Sequence, residues 1–178
     1  MQLAQGFLTD IIKTFKAYKG FGDKTFEQLE EKDFFFQPSS ESNNIAIIIQ
    51  HMHGNMLSRW TNFLTEDGEK QWRKRDEEFE HSKHTKNSLI NLWNEGWLCF
   101  INALETLQEE DLLKTITIRT EPILVYNALL RQLAHYSYHV GQIVYLGTVT
   151  KNKDWKSLSI PKGGSSAYLE TVKQSQPK

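Results

Sequence analysis

The sequence predicts an all-α protein, a four-helix bundle that forms one domain. Four stretches carry apolar residues spaced three and four apart, the spacing of one face of an α-helix. The 178 residues lie within the one-domain range and should bury roughly 70% of their unfolded-state surface, enough for a core without disulfides or an obligatory metal. We place the bundle in residues 1–169 and expect residues 170–178 to be a flexible tail, because the sequence beyond Trp155 is rich in Ser, Lys, Gly and Gln.

The first two helices have recognisable ends. The first is expected to finish near Lys19, where Gly20 or Gly22 could adopt the left-handed conformation that ends a helix. The second should begin after Ser42–Asn44, all good N-cap types, and its buried face continues to Phe63.

The third helix should begin between Thr85 and Ser88 and continue to about Gln108. Residues 115–119 alternate with period two and predict a short strand. The fourth helix is expected to start at Pro122, since proline is favourable at the first helical position.

Connection lengths predict an up-down-down-up bundle. Helices one and two, and three and four, have short links typical of antiparallel neighbours. The polar segment 65–84 is long enough to cross the bundle between helices two and three. We interpret its charge run, residues 73–78, as a solvated crossover rather than a binding patch.

Composition argues against two classes of partner. Lys plus Arg total 21 against 22 for Asp plus Glu, so charge gives no reason to expect nucleic acid or an anionic membrane. The longest apolar run, Ile45–Ile49, is too short to span a bilayer, and the N-terminus lacks a signal-peptide core.

The single Cys99 rules out an internal disulfide. We expect a cytoplasmic protein.

A pair of histidines marks a candidate metal site. His135 and His139 are four residues apart, so on a helix they lie about 6 Å apart in height and nearly in line. Such a pair can bind one ion at Zn–N distances of about 2.0–2.1 Å, although this spacing alone is common by chance.

The topology supplies a third histidine at the same level. His51 should lie roughly 10 Å from the start of helix two, and His139 and His135 about 12 and 18 Å from the end of helix four, which meets that start. Two interpretations of His51 stay open: a metal ligand, or a core histidine bonded to a neighbour. His53 points to nearly the opposite side of its helix.

Other reactive side chains are weaker candidates. His81 and His84 fall in the crossover and should be solvated, and Cys99 lies in an apolar pattern that favours a buried, inert thiol. Four polar residues lie one or two helical turns from the histidines: Asn55, Arg59, Arg131 and Gln142. Each could orient a histidine, bind substrate or cap a polar layer; Gln142 and Asn55 are preferred.

The histidine run resembles a known family. Residues 135–144, together with His51 after an Ile-rich helix start, resemble the DinB-like (DinB/YfiT) superfamily and most closely an uncharacterised DinB-like branch. Four further segments resemble that branch, so the similarity covers most of the chain: residues 73–79, 96–97, 131–135 and 158–163.

The resemblance implies one divalent ion, such as zinc or nickel, held by His51, His135 and His139. Characterised relatives include thiol transferases that use bacillithiol or mycothiol, and a mycothiol-dependent maleylpyruvate isomerase. Substrate residues do not carry over because the family varies them. Residues 121–124 also depart from the more polar opening of helix four expected in this branch.

Three functions stay open. The first is a transferase that joins a low-molecular-weight, bacillithiol-like thiol to a small electrophile, with no protein nucleophile required. The second is a metal-dependent hydrolase, which needs a general base that no Glu beside the histidines supplies. The third is a non-enzymatic, metal-binding or stress-related bundle, which would be a homodimer.

Overall fold

The computed structural model describes residues 3–80 and 83–175, which form a mostly helical chain, as predicted. Its α-helices and strands are α1 (Leu3–Gln28), α2 (Glu31–Phe34), α3 (Ile45–Trp60), α4 (Lys86–Glu105), β1 (Thr115–Ile118), β2 (Glu121–Leu124), α5 (Val125–Lys151) and α6 (Ser165–Ser175). Short 3-10 helices cover Asp76–Phe79, Glu109–Leu113 and Asn152–Asp154.

The four long helices share one core. Helices α1 and α3 each pack against both α4 and α5. Each of the four contributes an aromatic ring at the centre: Phe15, Trp60, Phe100 and Tyr136. The ring centroid of Phe100 lies 4.5 Å from Phe15, 4.8 Å from Trp60 and 5.1 Å from Tyr136. We call these four residues and Trp97 the aromatic layer.

Helix α1 corrects one expectation. It continues to Gln28 instead of ending near Lys19. Gly22 lies inside the helix, where an added Cβ would meet the Trp93 ring at 2.3 Å, and the indole of Trp93 donates to Asp23 at 2.8 Å. The glycine therefore permits close helix packing and does not end the helix.

The predicted starts of two helices are confirmed. Asn44 caps α3, since its Oδ1 accepts a hydrogen bond from the backbone N–H of Ile47 at 2.9 Å. Thr85 caps α4 by accepting from the backbone N–H of Ser88. Helix α3 ends at Trp60, three residues before Phe63.

A β-hairpin precedes α5. The predicted strand is present as β1, but it pairs with β2, so the helix start expected at Pro122 was wrong. Proline is compatible with this two-stranded sheet because an edge strand does not need every N–H. The turn residues Arg119 and Thr120 have φ of 57° and 65°, and their backbone N–H groups donate to Asp67 at 2.9 and 2.7 Å.

The C-terminal helix α6 has no buried residues. The flexibility expected for residues 170–178 stays a prediction, and residues 176–178 lie outside the described residues. Among the described helices, none combines the length and the hydropathy that crossing a bilayer requires.

Candidate metal centre

The three predicted histidines converge on one point between α3 and α5. His51 Nε2 lies 3.3 Å from His135 Nε2, which lies 3.1 Å from His139 Nε2. Ligand nitrogens around a tetrahedral zinc are roughly 3.3 Å apart when each bond is about 2.0–2.1 Å long. The spacing therefore fits one metal ion, and the group contains three potential ligands among the described residues.

Burial keeps His135 and His139 neutral. Burial, followed by the charges of His139 and His51, lowers the pKa of His135 to about 3. Burial also lowers the pKa of His139 to about 4, although the hydrogen bond that His139 donates to Gln142 acts to raise it. Both imidazoles are therefore uncharged near neutral pH, the form that binds a metal.

Two histidines carry their proton on the outer nitrogen. His51 donates from Nδ1 to Glu78 at 3.0 Å, and His139 donates from Nδ1 to the side-chain oxygen of Gln142 at 2.8 Å. Both Nε2 atoms are then bare and face the centre. Outer-nitrogen partners of this kind fix the ring orientation of metal-binding histidines.

His135 has the opposite arrangement. The amide nitrogen of Gln132 donates to His135 Nδ1 at 3.0 Å and to Asn55 Oδ1 at 3.1 Å. His135 then carries its proton on Nε2, facing the two bare nitrogens of His51 and His139. A bound ion requires that proton to move to Nδ1 and the oxygen of Gln132 to face it.

Glu78 lies in the crossover and supports His51. Arg73 donates to both Glu78 oxygens, at 2.7 and 2.8 Å. Burial alone would raise the pKa of Glu78, but hydrogen bonds and charge from Arg73 and His51 outweigh it and lower that pKa. The carboxylate therefore remains ionised beside His51.

The interpretation of residues 73–78 as solvated was wrong at its two ends. The side chains of Arg73 and Glu78 are 2% and 11% exposed, against 72% and 68% for Lys74 and Glu77. Because the Glu78 side chain is largely buried beside α3, its carboxylate accepts the hydrogen bond from His51 Nδ1. The one signal available was Phe79, an aromatic residue after the charges, whose ring packs 4.9 Å from His51.

The preferred polar neighbours lie near the histidines. Asn55 accepts from Gln132 and from the Tyr136 hydroxyl, both at 3.1 Å, and Gln142 contacts His139. Gln132 was not predicted, although its position three residues before His135 places it on the same helix face.

Arg59 and Arg131 occupy different positions. Buried Arg59 donates to the carbonyl oxygen of Gly68 and to Glu69, not to a histidine. Arg131 is solvent-exposed and lines a cavity beside His135.

The remaining candidates lie apart from the trio. His53 is paired with Glu95 at 3.0 Å, and His84 with Ser88 at 3.1 Å. Cys99 is half-buried and contacts the Thr61 hydroxyl. His81 lies outside the described residues.

The cavity beside the trio has a volume of about 240 Å³. We call it the arginine cavity; the described residues that line it are His51, Asn55, Arg59, Arg73, Arg75, Ile118, Arg119, Arg131, Gln132 and His135. Two of the three histidines therefore face a space that a small molecule can enter.

Comparison with known proteins adds a family to this geometry. Residues 2–164 match the family described as "Protein of unknown function (DUF1572)". The search of curated proteins found no match. Since the family match covers both strands, the four long helices and all three histidines of the centre, the chain belongs to the DUF1572 family.

Proposed function

We propose that this protein is a metal-dependent transferase that joins a low-molecular-weight thiol to a small electrophile. The observation that carries the proposal is the convergence of three imidazole nitrogens beside a cavity. Three protein ligands are an incomplete shell for zinc, the arrangement of catalytic sites rather than structural ones. His51, His135 and His139 would hold the ion, with zinc or nickel as the candidates.

The bound ion would supply a deprotonated thiol near neutral pH, because thiolates are favoured ligands of zinc and nickel. In the transfer, the thiol proton goes to solvent, a sulfur–carbon bond forms, and the leaving group departs from the electrophile with its electron pair. Glu78 and Gln142 contribute by orienting His51 and His139. No side chain is required as the nucleophile.

The finer family assignment belongs to this proposal. Four long helices that pack around one core, and histidines on α3 and α5, are what a DinB-like up-down-down-up bundle requires. A bacillithiol-like thiol is a further part of the proposal and comes from the DinB-like resemblance. The cytoplasmic location is proposed from the sequence composition, and a homodimer belongs to the non-enzymatic alternative.

The hydrolase alternative has weaker support. A hydrolase needs a general base that faces the reacting water. Glu78 is the carboxylate in contact with the trio, but it binds the outer nitrogen of His51 and is held by two hydrogen bonds from Arg73. The non-enzymatic alternative would be favoured if metal removal unfolded the protein.

The test begins with elemental analysis of protein purified from the cytosol. Metal-loaded protein is then assayed with bacillithiol, mycothiol, glutathione and cysteine against a panel of electrophiles, with and without chelator. We expect chelator-sensitive conjugation with at least one thiol, lost in His135→Ala and retained in His53→Ala. If no thiol reacts faster with metal-loaded protein than with His135→Ala, the transferase proposal fails and ester and amide substrates should be tested.

A further inference from the structure

The distribution of arginine in this chain is unusual. The sequence contains five arginines and sixteen lysines. All five arginines line the arginine cavity, and none of the fifteen lysines within residues 3–80 and 83–175 does. Charge alone would not require this choice, because lysine carries the same charge. Arginine differs in its planar fork of donors, which matches the two oxygens of a carboxylate or phosphate.

Two glutamates neutralise part of this charge from outside the cavity wall. Glu78 pairs with Arg73. Glu69 pairs with Arg59 at 3.2 Å and with Arg119 at 2.8 Å. Neither glutamate lines the cavity, and no other acidic residue of the described chain does.

Several donors remain uncommitted. Nη1 of Arg73 is buried and lacks a hydrogen-bond partner among residues 3–80 and 83–175. Over the same residues, Arg131 has no ion pair, and Arg119 contacts Glu69 through Nε. Arg75 lies 3.7 Å from exposed Asp76, a long contact. Arg75 also lies over the Phe79 ring, with 5.2 Å between its guanidinium carbon and the ring centroid. The buried Nη1 of Arg73 and the guanidinium of Arg131, which has no ion pair among the described residues, together favour an anion in this space.

The hairpin turn gives an independent reason. Arg119 and Thr120 both have positive φ, a conformation that tight hairpin turns normally reserve for Asn and Gly. Asp67 stabilises this backbone by accepting both N–H groups. The strained turn places Arg119, an unsuitable residue for such a turn, at the cavity wall, which is understandable if its side chain has a role there.

We propose that the arginine cavity binds a small dianion, with its negative charge supplied by two carboxylates or by a phosphoryl group. Its volume corresponds to roughly eight water molecules of about 30 Å³ each, which suits a dicarboxylate or phosphate. Because His51 and His135 line the same space, the rest of the bound molecule lies next to the metal position. In identifying the dianion as part of a reactant, this inference rests on the proposed transferase; the anion site itself does not.

The test is calorimetric titration with succinate, inorganic phosphate, acetate and uncharged succinamide. It uses zinc-loaded protein and chelator-treated protein, because in the latter an anion cannot bind through the ion. We expect succinate or phosphate to bind at least tenfold more tightly than acetate in both forms. The preferred dianion then distinguishes carboxylate from phosphoryl recognition.

Substitutions of the cavity arginines test whether the dianion binds there. Arg131→Gln and Arg119→Gln should each weaken the preferred dianion at least tenfold, and Arg131→Lys should restore part of the loss. Lys114→Gln is the matched control, since exposed Lys114 lies beside the hairpin and outside the cavity. Circular dichroism of each variant checks the fold.

Equal affinity for acetate and both dianions, or an equal loss in Lys114→Gln, would overturn the anion site. Dianion binding that survives in His135→Ala supports the site even if conjugation activity fails. Conjugation without any dianion binding would remove this inference and leave the proposed function intact.

Discussion

The aromatic layer and the histidine site, which consists of His51, His135 and His139, share helices α3 and α5 but are built by opposite rules. In the aromatic layer, apolar rings fill space, and Phe15, Phe100 and Trp97 are fully buried. In the histidine site, each imidazole has a hydrogen-bond partner at its outer nitrogen. The aromatic layer stabilises the fold. The histidine site lowers the free energy of unfolding, because burying polar imidazoles is unfavourable, but it holds the ring nitrogens in place. Stability and metal binding should therefore be separable by mutation.

Tyr136 joins the two regions. Its ring packs against Phe100 and Trp97, and its hydroxyl donates to Asn55, which also accepts from Gln132. Burial raises the pKa of Tyr136, so the hydroxyl keeps its proton and its donor role. A single side chain, Tyr136, therefore contacts both regions.

The largest expected effect is the complete loss of metal binding without loss of the fold. His135→Ala should abolish stoichiometric metal binding while cooperative unfolding persists, because the aromatic layer does not depend on the ion. Elemental analysis and thermal unfolding by circular dichroism measure the two properties. His53→Ala, on the same helix as His51 but paired with Glu95, should keep the metal. Outright unfolding of His135→Ala would mean that the histidine site is structural.

The converse change is Phe100→Ala in the aromatic layer. Removing this fully buried ring should lower the free energy of unfolding by about 3–5 kcal/mol, while the folded fraction still binds metal. Urea denaturation measures the loss. Leu98→Ala is the control on the same helix, because Leu98 is 62% exposed and should change stability by less than about 0.5 kcal/mol. A Phe100→Ala protein that is stable but metal-free would contradict the separation.

Within the histidine site, Glu78→Gln should weaken metal binding by about 10–100-fold. The amide no longer carries the charge that favours the His51 proton on Nδ1, and it leaves Arg73 without its ionic partner. Competition titration with a chromogenic chelator measures the affinity. Glu77→Gln changes a neighbouring carboxylate that is 68% exposed and should leave affinity unchanged.

The smallest effect is expected for Gln142→Ala. Gln142 is half-buried and also bonds the exposed Tyr138 hydroxyl, so water can replace its contact with His139. Metal should be retained, with affinity reduced by less than about tenfold. The same chelator competition measures the affinity. A loss of affinity as large as that of Glu78→Gln would show that Gln142 supports His139 as strongly as Glu78 supports His51.

Periodic elements of this molecule were predictable from sequence, whereas contacts from irregular segments were not. Helical spacing located the histidines and the start of α4, and cap chemistry located the start of α3 after Ser42–Asn44. Glu78 reaches His51 from 27 residues along the chain, through a crossover that has no repeating pattern. The hairpin was half missed because Pro122 is as compatible with an edge strand as with a helix start.

The arginine cavity was also beyond sequence reasoning. Their spacing from the histidines singles out Arg59 and Arg131, but their convergence with Arg119 depends on Asp67, which holds the hairpin turn from the distant crossover. The five arginines can be counted in the sequence, but only the fold shows that they line one cavity.

The crossover between α3 and α4 has a consequence for local unfolding. Asp67 holds the hairpin turn that carries Arg119, and Glu78 holds His51, so one connection supports both the cavity and the metal ligands. Partial opening of this segment would release both supports together, without disturbing the helices. By thermodynamic linkage, a metal ion or an anion that favours the closed segment also favours binding of the other. The crossover is therefore the part of the molecule through which the occupancy of one position can influence the other.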